Sequence, residues 1–147
     1  MDILNKTPAD KIVITVETEV NATIEKVWNC WTAPEHITEW NHASDDWHCP
    51  AAENDLRPGG KFSFTMAAKD GSFSFDFSGV HTTITLHHKI NTLLDDGRKM
   101  EATFEKQEGK IIVTESFEAE NINPIELQKG GWQAILDNFK KHTEASS

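Results

Sequence analysis

The chain is poor in cysteine and in basic residues, and it contains no long apolar run. Its two cysteines, Cys30 and Cys49, are too few for a disulfide framework, so we expect a reduced, cytoplasmic setting. No stretch approaches the roughly 18–20 apolar residues that a membrane-spanning helix needs. Residues 1–11 contain neither the apolar segment nor the cleavage site of a signal peptide. The sequence thus predicts a cytoplasmic protein without a membrane span.

Positive charge is scarce, because 14 Lys and Arg residues stand against 24 Asp and Glu residues, which gives a net charge of −10. An acidic surface repels a phosphate backbone, which excludes nucleic acid as a main partner. At 147 residues the chain has the length of one ordinary domain of ~100–150 residues. We therefore expect a single domain over 1–147, with an ordered core over about 11–143.

Sequence motifs for catalysis and for metal binding are also missing. No CxxC, HxxxH, HExxH, GxSxG, P-loop or GxGxxG pattern occurs. His87 and His88 are adjacent in a predicted strand, so their side chains would point to opposite faces and could not chelate one ion. Cys30 stands beside Trp31 in a helical segment, where a small core residue is expected. The sequence predicts no catalytic residue, no bound metal and no cofactor.

The periodicity of the apolar residues changes twice along the chain. Residues 11–20 alternate between apolar and polar side chains, which is typical of a half-buried strand. From Asn21, the predicted N-cap within two residues, apolar residues recur at helical steps. Thr32 and Glu35 have the spacing of a capping box around Pro34, which predicts a second short helix. A strand followed by two short helices is therefore expected.

Strand patterns then follow one another without an intervening helix. They are separated by turn residues and lie at 47–52, 61–66, 73–77, 80–86, 89–94, 99–105 and 110–117. Short connections between strands favour antiparallel pairing. From Ile125 to about His142 the period is helical again. We expect an α+β fold, in which one antiparallel sheet of six to seven strands wraps around this C-terminal helix.

Several segments of the chain carry a resemblance to a known superfamily. They are Ile24-Glu25-Lys26-Val27-Trp28, Ala33-Pro34-Glu35 with Trp40, Asp55-Leu56-Arg57-Pro58-Gly59-Gly60-Lys61-Phe62, Gly79-Val80, Thr114-Glu115-Ser116-Phe117 and Gly131-Trp132. With the order of the predicted elements, they resemble the START-like, helix-grip (SRPBCC) superfamily. Within it, the sequence is similar to the C-terminal domain of Aha1, the activator of the Hsp90 ATPase. One departure is Val80-His81, which follows Gly79 where the family often has an aromatic residue.

The resemblance implies a helix-grip fold, with an elongated apolar cavity between a curved sheet and the C-terminal helix. Members of the superfamily bind lipids, polyketides, hormones or other hydrophobic molecules, and some catalyse cyclisation or hydrolysis. Three functions follow: binding of a small hydrophobic, aromatic or polyketide-like molecule; regulation of an Hsp90-type chaperone through protein contacts; or cyclase- or hydrolase-like catalysis. We favour binding, because no acid, base or nucleophile stands at a catalytic spacing and because the chain lacks the N-terminal domain of a full-length activator.

The candidate cavity residues come from aromatic strand faces and from the helices. Phe62, Phe64, Phe73, Phe75 and Phe77 are predicted to face inward, where they fill either a core or a ligand pocket. The residues that we expect around a ligand are Trp28, Trp31, Phe64, Phe75, Phe77, His81, Gly131, Trp132 and Ile135.

Two further features leave alternatives open at this stage. His81 and Arg57 could each orient an oxygen atom of a ligand, although Arg57 fits an exposed turn better. Gly130 and Gly131 cost helix stability, by about 1 kcal/mol each relative to alanine. They either let the helix lie close to the sheet or leave room for a ligand beside Trp132.

Overall fold

The computed structural model describes residues 12–146 and has an α+β architecture. The elements are β1 (Val13–Val20), α1 (Ile24–Thr32), α2 (Pro34–Trp40), β2 (Trp47–Asn54), β3 (Lys61–Ala68), β4 (Ser74–Thr85), β5 (Lys89–Leu94), β6 (Lys99–Gln107), β7 (Lys110–Glu118) and α3 (Ile125–Ala145). The predicted fold class is confirmed. Residues 1–11 and 147 lie outside the described residues, and with them the predicted start of the first strand and the segment tested for a signal peptide.

The seven strands form one antiparallel sheet in the order β1-β7-β6-β5-β4-β3-β2. The sheet curls into a half-barrel around α3. Alternation along β7 explains the inner face, because Ile111, Val113 and Phe117 are buried while their neighbours are more exposed. Leu136 and Phe139 on α3 are fully buried against this face. The helix-grip arrangement is thus confirmed.

The strand patterns on either side of Gly79 form one long strand, β4. A Cβ atom at Gly79 would lie 2.5 Å from the carbonyl oxygen of Leu93, so only glycine lets β5 approach this closely. Two residues further along β4, its register with β5 shifts between His81 and Thr83. Bulges of this kind bend and twist a sheet, which helps to curve it around the helix.

The predicted capping box of α2 is wrong. Thr32 is the last residue of α1, and its hydroxyl donates to the carbonyl oxygen of Trp28 at 2.8 Å instead of capping the next helix. Ala33 is the N-cap of α2 and makes no side-chain cap hydrogen bond. For α1 the cap is Thr23, two residues after Asn21, and its Oγ1 accepts a hydrogen bond from a backbone N–H.

His87 and His88 are not in a strand, contrary to the sequence expectation. They lie in the turn between β4 and β5, where His87 has a positive φ of 65° and the backbone N–H of His88 donates to Thr85. The left-handed backbone of His87 allows the chain to reverse within this short hairpin loop. None of the helices among residues 12–146 combines the length and apolar character needed to cross a membrane.

Candidate functional site: a cavity between the sheet and the closing helix

A cavity of about 380 Å³ lies between the concave face of the sheet and α3. Its apolar wall consists of Trp31, Trp40, Ala43, Phe62, Phe64, Met66, Phe75, Phe77, Ile90, Met100, Ala102, Leu127, Gly131, Trp132 and Ile135. Its polar lining consists of Asn41, Asn54, His81, Thr92, Arg98, Glu115, Glu120, Asn123 and Gln128. Ligand pockets usually measure roughly 300–1,000 Å³ and are mostly apolar with a few polar groups, and this cavity fits that description.

All but one of the residues that we expected around a ligand line this cavity, namely Trp31, Phe64, Phe75, Phe77, His81, Gly131, Trp132 and Ile135. Trp28 does not. It is buried in the core, where its ring meets those of Phe104 and His87 edge-on at 5.3 and 5.7 Å. Both Trp28 and Trp31 are on α1, but only Trp31 faces the cavity. Binding of a ligand by the lining residues stays a prediction.

The aromatic row on β4 runs beyond the region that α3 covers. Phe77 packs edge-on against Trp132 at 5.7 Å, whereas Phe75 is 46% exposed. Phe73 was predicted to face inward but is 58% exposed, and it contacts Trp47 rather than the cavity. Phe73 precedes β4, which begins at Ser74, so only Phe75 and Phe77 belong to the alternating row that borders the cavity. Phe75, with the exposed Leu127 of α3, therefore lies at an apolar mouth.

The two glycines of α3 do not bring the helix close to the sheet. A Cβ atom at either Gly130 or Gly131 would meet no atom within 4 Å beyond its own helix neighbourhood. Gly131 lines the cavity, while Gly130 is exposed on the helix. Of the two readings of the sequence, the geometry favours open space beside Trp132.

Glu115 is the polar residue that sequence reasoning missed. It occupies an inward position of β7, between the buried Val113 and Phe117. Burial alone raises the pKa of this carboxyl from 4.5 to about 8, and no hydrogen bond or ion pair with the other described residues stabilises its charge. The available signal was a lone acid in the alternating row Ile111, Val113, Glu115. At neutral pH the group is mostly a neutral acid that can donate a hydrogen bond into the cavity.

His81 belongs to a short hydrogen-bonded chain at the wall. Its Nε2 lies 2.6 Å from Asn54 Oδ1, and its Nδ1 lies 3.4 Å from the hydroxyl of Thr92. Asn54 in turn donates through Nδ2 to the carbonyl oxygen of Thr32 at 2.8 Å. Because Oδ1 of Asn54 can only accept, His81 carries its hydrogen on Nε2. Burial lowers the pKa of His81, partly opposed by the charge of Asp55, so the ring is neutral at pH 7.

Arginine contributes to the cavity from an unexpected position. Arg57 lies in the exposed turn, paired with Asp55 at 2.9 Å, as the sequence favoured. Arg98 instead lines the cavity, and its guanidinium is held by Asp96 at 2.8 Å and by the carbonyl oxygen of Glu118 at 3.2 Å. These contacts orient Arg98 at the wall.

A second group of polar side chains lies where the three helices meet. Cys30 Sγ is 3.8 Å from His36 Nδ1, and this nitrogen is 2.9 Å from His142 Nε2. Burial raises the pKa of the Cys30 thiol and lowers that of His142, so both groups are neutral at pH 7. None of the three residues lines the cavity.

Comparison with known families identifies the chain. The family model described as activator of Hsp90 ATPase homolog 1-like protein matches residues 21–144, which include α1, the whole cavity wall and nearly all of α3. The chain belongs to this family. The resemblance seen in the sequence is therefore confirmed. Among curated proteins, none is significantly similar in sequence to this member of the family.

Solved structures of similar chains have the same fold. An AHSA1-like protein from Aeromonas hydrophila is 42% identical, with 91% of this chain and 93% of that chain covered and a TM-score of 0.85. A protein from Cytophaga hutchinsonii is 52% identical, with 89% and 91% covered and a TM-score of 0.79. A protein from Chromobacterium violaceum is only 18% identical but has a TM-score of 0.82 over 92% and 99%, so it shares the fold alone.

Proposed function

We propose that this protein binds a small hydrophobic molecule in the cavity between its sheet and α3. The observation that carries the proposal is a mostly apolar cavity of about 380 Å³ that contains a buried carboxyl group, Glu115, with no partner among the described residues. A side chain that only filled a core would not be acidic, because burial of an ionisable group without a partner is costly. A cytoplasmic setting agrees with the free thiols of Cys30 and Cys49.

The polar groups define the chemistry of the ligand. A protonated Glu115 donates a hydrogen bond, so it suits a carbonyl, ether or ring-nitrogen acceptor rather than an anion. Trp132 and Phe77 supply flat, apolar surfaces nearby, against which an aromatic ring can pack. We therefore infer an aromatic or polyketide-like molecule that carries a carbonyl oxygen. The apolar mouth at Phe75 and Leu127 suits the entry of such a molecule.

The experiment starts from freshly purified protein. Native mass spectrometry and solvent extraction will reveal a co-purified molecule, and titration with Nile red, an uncharged aromatic carbonyl compound, will measure binding. Trp31, Trp40 and Trp132 line the cavity, so occupancy should also change the intrinsic fluorescence. We expect one Nile red per chain at micromolar concentration.

A matched pair of variants locates the binding site. Gly131→Leu places a branched side chain at the cavity, whereas Gly130→Leu places the same side chain on the exposed face of the same helix. Nile red affinity should fall at least tenfold in Gly131→Leu and stay unchanged in Gly130→Leu. Equal affinity in both variants would contradict the proposal.

The family match supports a second candidate, regulation of an Hsp90-type chaperone ATPase. It requires a surface that docks on the chaperone, and the exposed Ile122 and Leu127 are the apolar residues to change. Stimulation of a chaperone ATPase that is lost in Ile122→Ser and retained in Gly131→Leu would favour this function. Turnover of the extracted molecule would instead indicate cyclase- or hydrolase-like catalysis.

A further inference from the structure

Three helices bring Cys30, His36 and His142 together at a place separate from the cavity. Cys30 comes from α1, His36 from α2 and His142 from the last turns of α3. Their Sγ, Nδ1 and Nε2 atoms all lie within 4.8 Å of one another. Cys30 is almost fully buried, and both histidines are partly buried. Such a convergence of one sulfur and two imidazole nitrogens is unexplained by the proposed ligand site.

From this geometry we propose that Cys30, His36 and His142 form a binding site for a divalent transition-metal ion, with Zn²⁺ as the expected occupant. Thiolate and imidazole are the ligands that zinc takes most readily in proteins. Around tetrahedral zinc, two nitrogen ligands stand roughly 3.3 Å apart and a sulfur stands roughly 3.6 Å from each nitrogen, from bond lengths of about 2.0–2.1 and 2.3 Å. The observed separations are 2.9 Å between the two nitrogens and 3.8 Å between sulfur and His36. The sulfur and the His142 nitrogen lie within 4.8 Å of each other. Side-chain rotations that shorten this third separation would bring all three atoms within bonding distance of one ion.

The binding step balances with one proton. Zn²⁺ replaces the thiol hydrogen of Cys30, which leaves as H⁺. The hydrogen that the two imidazoles share moves to the other nitrogen of its own ring, so both facing nitrogens offer a lone pair to the metal. The three side chains supply three of the four ligands of tetrahedral zinc, which leaves the fourth position for water or another small ligand.

Neighbouring groups offset part of the burial that disfavours a thiolate at Cys30. Thr143 is fully buried, and its hydroxyl oxygen has no hydrogen-bond partner among residues 12–146. This hydroxyl is near enough to the Cys30 sulfur to lower the pKa of the thiol by a hydrogen bond, and neighbouring donors of this kind support metal ligands. The ammonium of Lys26 donates a hydrogen bond to the carbonyl oxygen of Ser146, and its positive charge favours the thiolate form of Cys30. The same charge repels a metal cation. The negative charge of Glu39, which acts on His142, offsets this repulsion.

Cobalt titration tests the proposal directly. Protein prepared without a polyhistidine tag and stripped with a chelator is titrated with Co²⁺, whose thiolate complexes absorb in the near ultraviolet. We expect one Co²⁺ per chain, a thiolate-to-cobalt absorption band, its loss on addition of Zn²⁺, and release of one proton per bound ion. Absence of the band at stoichiometric Co²⁺ would overturn the proposal.

Variants assign the ligands. Cys30→Ser should abolish the thiolate band, and His36→Gln and His142→Gln should each weaken Co²⁺ binding by ~10-fold or more. Cys49→Ser is the matched control, because Cys49 is the other buried free cysteine and lies outside the cluster. Retention of the band in Cys30→Ser, or its loss in Cys49→Ser, would contradict the assignment.

Two further measurements keep the test decisive. If Cys30→Ser fails to fold, the unchanged protein is compared with His142→Gln, because His142 is partly exposed. Zn²⁺ should raise the melting temperature of the unchanged protein and leave that of His142→Gln unchanged. Gly131→Leu, which fills the cavity, should bind Co²⁺ normally. The metal site and the proposed ligand site can therefore fail independently.

Discussion

The indole of Trp132 stacks on the ring of Phe117, with the ring centroids 3.8 Å apart and the planes 15° from parallel. Phe117 is fully buried on β7, whereas Trp132 is on α3 and lines the cavity. The stack therefore joins the closing helix to the sheet at the same place where it forms part of the cavity wall.

Truncation of this stack should affect both stability and binding. For Trp132→Ala we expect a loss of about 3 kcal/mol in the free energy of unfolding, at the low end for a large aromatic because the ring is half-buried. Nile red affinity should fall as well. Trp28→Ala is the comparison, because Trp28 is buried outside the cavity: it should lower stability by at least as much and leave the affinity of the folded protein unchanged.

Alanine at the glycines of α3 should stabilise the protein. The missing Cβ atoms have open space at Gly130 and Gly131, so the gain in helix propensity of about 1 kcal/mol per site meets no steric opposition. Thermal unfolding of Gly130→Ala and Gly131→Ala measures this directly. Gly79→Ala should destabilise, because its Cβ would meet the carbonyl of Leu93. A destabilised Gly131→Ala would indicate that the helix needs a close approach there after all.

Glu115 should make stability depend on pH. Its pKa is about 8 in the folded protein and near 4.5 when unfolded, so the folded state holds a proton that the unfolded state releases between these values. The free energy of unfolding should therefore fall as pH rises through this window, by roughly 1.4 kcal/mol per pH unit from this group.

Glu115→Gln keeps the shape of the neutral acid and removes the titration. In urea unfolding at pH 5 and pH 8, the variant should gain several kcal/mol over the unchanged protein at the higher pH only. Glu105→Gln, on the solvent-exposed end of β6, is the control and should show no such gain. If the variant and the unchanged protein differ in the free energy of unfolding by the same amount at both pH values, Glu115 is already ionised in the folded protein at pH 5.

The hydrogen bond from His81 to Asn54 should control the charge of the imidazole. Asn54→Asp replaces the accepting amide with a carboxylate 2.6 Å from Nε2, so the pKa of His81 should rise by about one unit or more in an NMR titration. Asn29→Asp adds the same charge on the exposed face of α1 and should not change the pKa of His81.

Burial of His81 also has a consequence for stability in acid. Burial lowers the pKa of His81 below 6.5, so below that pH the unfolded state binds more protons and the free energy of unfolding falls. In Asn54→Asp this acid loss should be smaller. If the free energy of unfolding falls equally at low pH in both proteins, His81 is not buried in the way that the structure shows.

Much of the fold could be predicted because the patterns that encode it are local. Alternation marked the strands, and the return of a helical period at Ile125 marked α3, which ends at Ala145 rather than near His142. The errors occurred where two conformations are locally similar. Thr32 fits a capping box by spacing, but in the structure it ends α1, and its hydroxyl satisfies a carbonyl of its own helix.

The sequence predicted which types of residue line the cavity better than it predicted which individual residues lie there. Alternation correctly assigned Phe75 and Phe77 to the cavity face, but it could not indicate that Phe73 lies before β4 and outside the cavity. Trp28 and Trp31 share an apolar helix face, and only the packing of α1 against the sheet separates a core residue from a cavity residue. Periodicity gives the direction of a side chain within its own helix or strand. The residues that this side chain contacts depend on how the helices and strands pack against one another.

The order of strands and helices, the inward faces and the family follow from the chain itself, because each depends on residues within a few positions of one another. The protonation state of Glu115 and the cluster of Cys30, His36 and His142 do not follow from the sequence in this way. Burial of the carboxyl depends on strands and a helix distant in sequence, and the two histidines are 106 residues apart. Long-range packing sets both the local dielectric and the distances between ligands, so only the tertiary structure decides what these groups can do.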